Sequence, residues 1–209
     1  MQTRDHAAPE LGAIEVSGLT RSSFLVRGAL ATGSLYGAGA VGGFVTRAFA
    51  QGGGGDVDIL NFALTLEYLE AAFYEEGLKT AKLSGDAKKL ATEIADHEQQ
   101  HVDALTETIK KLGGKPVKAP GVKFPFKDQK SFLKLAQVFE DTGVSAYNGA
   151  APMIESKEVL AAAGSIVQVE ARHAAAIRLL NGDDPSPAAF DPTLSQKQVL
   201  KAVKPFIAA

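Results

Sequence analysis

Glu98-Gln99-Gln100-His101 and Glu170-Ala171-Arg172-His173 are two copies of one arrangement, Glu-x-x-His, 72 residues apart. Residues three apart on a helix share a face, so each copy can bring an oxygen and a nitrogen to a single point. Each follows a lone glutamate on its own apolar pattern. Glu67 precedes Glu98 by 31 residues, and Glu140 precedes Glu170 by 30. Four carboxylates and two imidazoles, one set per helix, form the donor inventory of a two-metal site in the core of a four-helix bundle.

The roles divide by position. Glu67 and Glu140 can each terminate one metal, and Glu98 and Glu170 can bridge two metals roughly 4 Å apart. Four carboxylates at −4 balance two divalent ions at +4. Mixed oxygen and imidazole donors suit two iron ions, with manganese as the alternative, whereas soft thiolate sites need cysteine, and the chain has none. A single Glu-x-x-His is ordinary decoration on a helix, since glutamate favours helices. The pair stands out because residues 51–209 hold three histidines and two of them sit in this motif, on apolar stripes. Converging carboxylates without a cation are costly to bury. His97 falls beside the stripe and reads as exposed or as standing behind the ligands. Asp96, Asp103 and Asp141 read the same way.

The positioning elements follow from the 3–4 spacing of apolar residues. A first helix, capped by Asp56 or Asp58, runs to about Leu78 with Leu60, Ala63, Leu64, Glu67, Glu70, Ala71 and Tyr74 inward. A second covers about Ala87 to Leu112 and ends at Gly113-Gly114. The segment from Gly113 to Asp128 carries Pro116, Pro120 and Pro125 and reads as extended. About fifteen residues at roughly 3.3 Å each span roughly 50 Å, longer than a helix of about 25 residues. It can therefore traverse the bundle before a third helix at about Gln129 to Ala150 and a fourth at about Lys157 to Leu180. Ser195 with Gln198 predicts a capping box on a short last helix. The predicted fold is all-α: a four-helix bundle over 58–182 with one long crossover between its second and third helices, and a tail over 183–209.

The two hairpins repeat each other. Glu67 and Glu140 are 73 residues apart, as are Tyr74 and Tyr147, and each tyrosine lies two turns beyond its glutamate. The partner of Glu70 is Gly143, which has no side chain to offer. Glu67 is thus the expected ligand on the first helix, with Glu70 behind it or an extra carboxylate. Tyr74 and Tyr147 are expected chiefly to pack, with electron supply to the site as their weaker catalytic role.

Residues 1–50 have a different character. Arg21 and Arg27 flank Phe24-Leu25, Gly28 to Thr46 carries no charge, and Ala48-Phe49-Ala50 is a small-x-small cleavage site. That order is a secretory signal, followed by a Gly-rich linker over 51–57. Thr20-Arg21-Ser22-Ser23-Phe24-Leu25 resembles a twin-arginine signal with Ser22 in place of the second arginine. The alternative is an uncleaved anchor, which the six glycines of the uncharged stretch and the cleavage site disfavour. The expected location is periplasmic, extracellular or in the cell envelope, with membrane contact only through an uncleaved signal. A net charge of −2 and the absence of a basic-aromatic stripe argue against a nucleic-acid partner.

Leu66-Glu67-Tyr68-Leu69-Glu70-Ala71-Ala72-Phe73-Tyr74 and Val169-Glu170-Ala171-Arg172-His173 resemble the ferritin-like superfamily of carboxylate-bridged dimetal proteins, in particular the ferritin-like domain branch related to desiccation-related proteins. The resemblance covers about Asp56 to Gly182. It implies metal binding through Glu67, Glu98, His101, Glu140, Glu170 and His173, and reaction of reduced metal with O2 or peroxide. Bacterioferritins place Asp before the motif glutamates, where this chain has His97 and Val169. The proline-broken tail does not resemble the fifth helix of a storage cage. The expected function is oxidation of Fe(II), or reduction of peroxide or O2. A manganese catalase-like enzyme and a non-enzymatic, metal-stabilised stress or envelope protein are the alternatives. The expected partners are metal ions and O2 or peroxide, with a homo-oligomer allowed.

Overall fold

A computed structural model describes residues 55–208. The expected signal sequence, its anchor alternative and most of the Gly-rich linker lie outside the described residues. Helices α1 (Asp56–Thr80), α2 (Gly85–Lys111), α3 (Gln129–Ala150) and α4 (Lys157–Asn181) form the bundle, and α5 (Gln196–Val203) closes the tail. Among the described residues the β content is one bridge, Val122 with Ile207. The all-α bundle with short, long and short connections is as expected.

Local chemistry explains most of the helix ends. Ser131 N–H donates to Asp128 Oδ1 at 2.8 Å and starts α3. Ser156 caps α4, its Oγ accepting from Val159 N–H at 3.3 Å. Gly182 ends α4 at φ +77°, a left-handed turn that glycine enters without strain. Gln198 Oε1 accepts from Ser195 N–H at 2.9 Å, as the capping-box pattern predicts for α5. The start of α1 differs from expectation. Gly55 holds the cap position, and neither aspartate caps the helix. Asp56 instead accepts from the N–H groups of Glu155 and Ser156, both at 2.8 Å. Its carboxylate thus satisfies amides at the entry to α4, which have no helical acceptor of their own.

The crossover leaves the end of α2 and runs along α1. Asn61 near the start of α1 anchors it in both directions: its Oδ1 accepts from Val117 N–H at 2.9 Å, and its Nδ2 donates to Lys115 O at 3.2 Å. Farther on, Phe124 and Phe126 pack edge-on against Phe73 of α1. The chain then enters α3 beside the α1–α2 turn, where Gln129 Oε1 accepts from Ser84 N–H at 2.9 Å. As a result α1 and α3 run antiparallel, and so do α2 and α4.

The apolar stripe expected on α1 is too narrow. Phe62, Leu66, Leu69 and Phe73 are buried as well, on faces the stripe leaves to solvent. They meet the crossover and the tail. Phe73 stacks on Phe132 at 4.7 Å and meets Phe139 edge-on at 4.8 Å, and Phe206 meets Phe139 in turn. Each buried ring contributes roughly 1.5–3 kcal/mol of transfer free energy. The tail is held by Leu194 N–H to Ser145 O at 3.0 Å, and by Ala208 N–H to Gly121 O at 2.8 Å on the crossover. It crosses α3 so closely that a Cβ at Gly149 would stand 2.0 Å from Leu194 O, which explains the glycine.

Candidate metal centre

The four helices bring the six expected side chains together midway along the bundle. Glu67, Glu98, Glu140 and Glu170 have no exposed surface, and His101 and His173 are nearly as deep. Such burial of four carboxylates would cost several kcal/mol for each one left charged and unpaired. The helices place them so because each lies on the stripe its helix turns to the core.

The donors divide into two overlapping groups. Glu67, Glu98, His101 and Glu170 offer atoms within 4.8 Å of one another, and so do Glu98, Glu140, Glu170 and His173. Glu98 and Glu170 belong to both. Glu98 turns Oε2 to His101 Nδ1 at 3.2 Å and Oε1 to His173 Nδ1 at 3.1 Å. Glu170 Oε1 lies 3.1 Å from His101 Nδ1. Glu67 Oε2 is 3.2 Å from His101 Nδ1, and Glu140 Oε2 is 3.3 Å from His173 Nδ1. Several of these atoms approach at ion-pair distance without hydrogen-bond geometry. Glu98 Oε1, Glu140 Oε2, both oxygens of Glu170 and His173 Nδ1 are buried with no hydrogen bond. Their lone pairs face common points rather than protons, so the residues present fit a pair of cations.

Without metal, protons must hold the cluster together. Burial pushes Glu67 up to about 8, although His101 opposes the shift. Burial and neighbouring carboxylates raise Glu70 and Glu170 as well. Burial also raises Glu140, against the pull of His173. Burial acts the same way on Glu98, but the imidazoles of His101 and His173 beside it outweigh it and hold that carboxyl down to about 2. For the imidazoles burial favours the neutral ring. Glu170, Glu67 and Glu98 overcome it at His101, which reaches about 12, and Glu140 and Glu98 overcome it at His173, which reaches about 10. The metal-free centre therefore favours an anionic Glu98 between two imidazolium rings, with a proton on Glu67 and the remaining carboxyls shifted toward their neutral form.

The tyrosines do more than pack. Tyr74 of α1 donates its hydroxyl to Glu140 Oε1 on α3, and Tyr147 of α3 donates to Glu67 Oε1 on α1. The antiparallel pair thus holds each outer glutamate crosswise, leaving its Oε2 for the centre. Both hydroxyls are buried and raised well above the usual tyrosine range, by burial first and then by the glutamates beside them.

Glu70 is buried but falls outside both donor groups. Its space comes from Gly143: a Cβ there would stand 3.0 Å from Glu170 Oε2 and 3.1 Å from Glu70 Oε1. His97 is half-buried, and its Nδ1 lies 2.9 Å from His173 Nε2, a contact the apolar stripe alone does not reveal. Asp141 pairs with Arg178, while Asp96 and Asp103 are exposed and bond Gln100 and Gln99. On the outer side, a recess of about 490 Å³ between α2 and α4 is floored by His101 and His173, with His97 and Arg172 in its wall.

A four-helix bundle with one long crossover and a buried Glu/His cluster that could bind metal defines the class as ferritin-like. The sequence profile of the ferritin-like domain family matches residues 55–183, and the chain belongs to that family. It is 26% identical over 152 residues to the protein Rds1 of Schizosaccharomyces pombe, covering 73% of this chain and 36% of that protein. This chain thus spans about a third of that relative's length. Among solved structures it is similar to a conserved hypothetical protein of Mycobacterium tuberculosis, with a TM-score of 0.55 at 17% identity, over 70% of this chain and 99% of the other. It is also similar to ferritin-like, diiron-carboxylate proteins of Bacillus anthracis, with a TM-score of 0.51 at 21% identity, over 68% and 99%. These likenesses concern the fold.

Proposed function

We propose that this protein binds two metal ions, iron in the first place, and uses them to oxidise Fe(II) or to reduce peroxide or O2. One observation carries the reading: five buried donor atoms, on Glu98, Glu140, Glu170 and His173, face the centre without a hydrogen bond. Glu67 and His101 would complete one subsite, Glu140 and His173 the other, and Glu98 and Glu170 would serve both. The description of the Bacillus anthracis structures as diiron-carboxylate proteins supports iron. A reduced iron pair, when bound, supplies two electrons, the number that takes one peroxide and two protons to two waters. Tyr74 and Tyr147 orient the outer glutamates. The helices exclude water from the four carboxylates, and His101 and His173 close the centre toward the recess.

The test is anaerobic loading with Fe(II), followed by O2 or peroxide. Two irons per chain and new near-ultraviolet absorption on oxidation are expected. Loaded protein that stays colourless with both oxidants would leave a structural role, or manganese as the working metal. We also propose export, on the sequence of residues 1–50 alone. Intact-mass measurement of the secreted protein should then give Gln51 as its first residue, and a full-length, membrane-embedded species would contradict it.

A further inference from the structure

The repeat that builds the centre is broken at two positions beside it, and one of the breaks sets its two halves apart. Positions 97 and 169 are repeat partners, each just before a shared glutamate, yet one is histidine and the other valine. His97 Nδ1 meets His173 Nε2 at 2.9 Å, with the two rings stacked 10° from parallel. The other nitrogen of His173 faces Glu98 and Glu140. His101 presents Nδ1 to its carboxylates in the same manner. Among the described residues, however, no hydrogen bond reaches His101 Nε2. Val169 lines the same recess in the place that His97 takes on the other side.

The second break pairs Glu70 with Gly143. Glu170 Oε1 faces His101, whereas Oε2 lies against Gly143, one turn beyond Glu140 on α3. Glu70 occupies the space that Gly143 leaves, beside Glu170 Oε2.

An imidazole whose outer N–H is engaged is fixed in tautomer and direction and is the stronger donor. Losing such a partner typically costs 10–100-fold in metal affinity. We propose that the two subsites are unequal by construction. The Glu140–His173 subsite is the tighter one and fills first, with His97 as its positioning residue. This rests on the two-metal reading above.

Titration of metal-depleted full-length protein with Mn(II), followed by calorimetry and equilibrium dialysis, tests it without reference to activity. Wild type should bind in two steps at least about 10-fold apart. His97→Val should weaken the tighter step by roughly 10–100-fold, so that the two steps merge. His97→Gln keeps an acceptor for His173 Nε2–H and should retain the tighter step. Val169→His should strengthen the weaker step. His173→Ala should remove the tighter step, and His101→Ala should leave it. His97 is half-buried in the wall of a recess, so its variants should fold. Two equal steps in wild type, or a tighter step that survives His97→Val, would overturn the inequality while leaving the two-metal reading standing. No binding of Mn(II) or Fe(II) at all would overturn both.

Discussion

Metal-depleted protein should melt roughly 10–20 °C higher when saturated with Fe(II) or Mn(II) near pH 7.5. A ligand at 100 times its dissociation constant stabilises the folded state by about 2.7 kcal/mol per site, and two sites double that. For a folded region of this size each kcal/mol moves Tm by roughly 2–4 °C. The pH dependence is equally specific. Glu67, at about 8 when folded, has an ordinary value of 4.5, and His101 and His173, at about 12 and 10, start from 6.5. All three are raised, so their contribution is complete below the unfolded values and is lost as pH rises toward the folded ones. Glu98 has the opposite sign, but its window lies between 4.5 and about 2. Metal-free protein should therefore lose stability steadily from pH 5 to pH 9. Metal displaces the protons that hold the apo cluster, so the gap between loaded and empty protein should widen over the same range. A gap that is flat or narrows, measured by calorimetry in matched buffers, would mean that the cluster does not exchange protons for metal.

Glu98→Ala should have the largest effect of any single substitution on metal content. Its two oxygens face different imidazoles, so the change removes a donor from both subsites and leaves two imidazolium rings without their shared anion. Both metals should be lost at concentrations that saturate wild type, a fall of more than about 100-fold in affinity, beyond what loss of an outer partner costs. Glu67→Ala touches one donor group and should lower occupancy clearly. Glu70→Ala should lower it less, since that carboxylate lies outside both groups. Elemental analysis after equilibrium dialysis orders the three. Glu70→Ala costing more metal than Glu67→Ala would reverse the assignment of the α1 carboxylates.

The bundle and the convergence of the six side chains were legible because both depend on spacing. A three-residue motif on a helix, repeated at a fixed offset, constrains which faces must meet. The long crossover was legible from its prolines and its reach. What the pattern could not contain lies off the stripes. Burial of Phe73 on a second face of α1 depends on where Phe124, Phe126 and Phe206 arrive, and they come from segments without helical period. The bond from His97 to His173 crosses between α2 and α4 from a position whose apolar pattern reads as partly exposed. The absence of a cap from Asp56 depended on the distant amides of Glu155 and Ser156. The exchange of tyrosine hydroxyls between α1 and α3 required the antiparallel direction of those helices, which the crossover permits without dictating the partners.

The packing of crossover and tail over α1 and α3 makes the two helices of each hairpin unequal in a sense separate from their chemistry. α1 buries 13 of its 25 residues, and α4 buries 7 of 25. Both carry a shared or outer glutamate at the centre, yet substitution meets far more packed neighbours on the first than on the second. Descent with modification should thus run at two speeds within one chain. The interior of α1 accepts little beyond volume-conserving exchange, while the outer face of α4 can drift between polar and apolar residues at almost no cost. A comprehensive substitution scan scored by folding would trace the path of the crossover as a band of intolerance along α1, with no counterpart along α4.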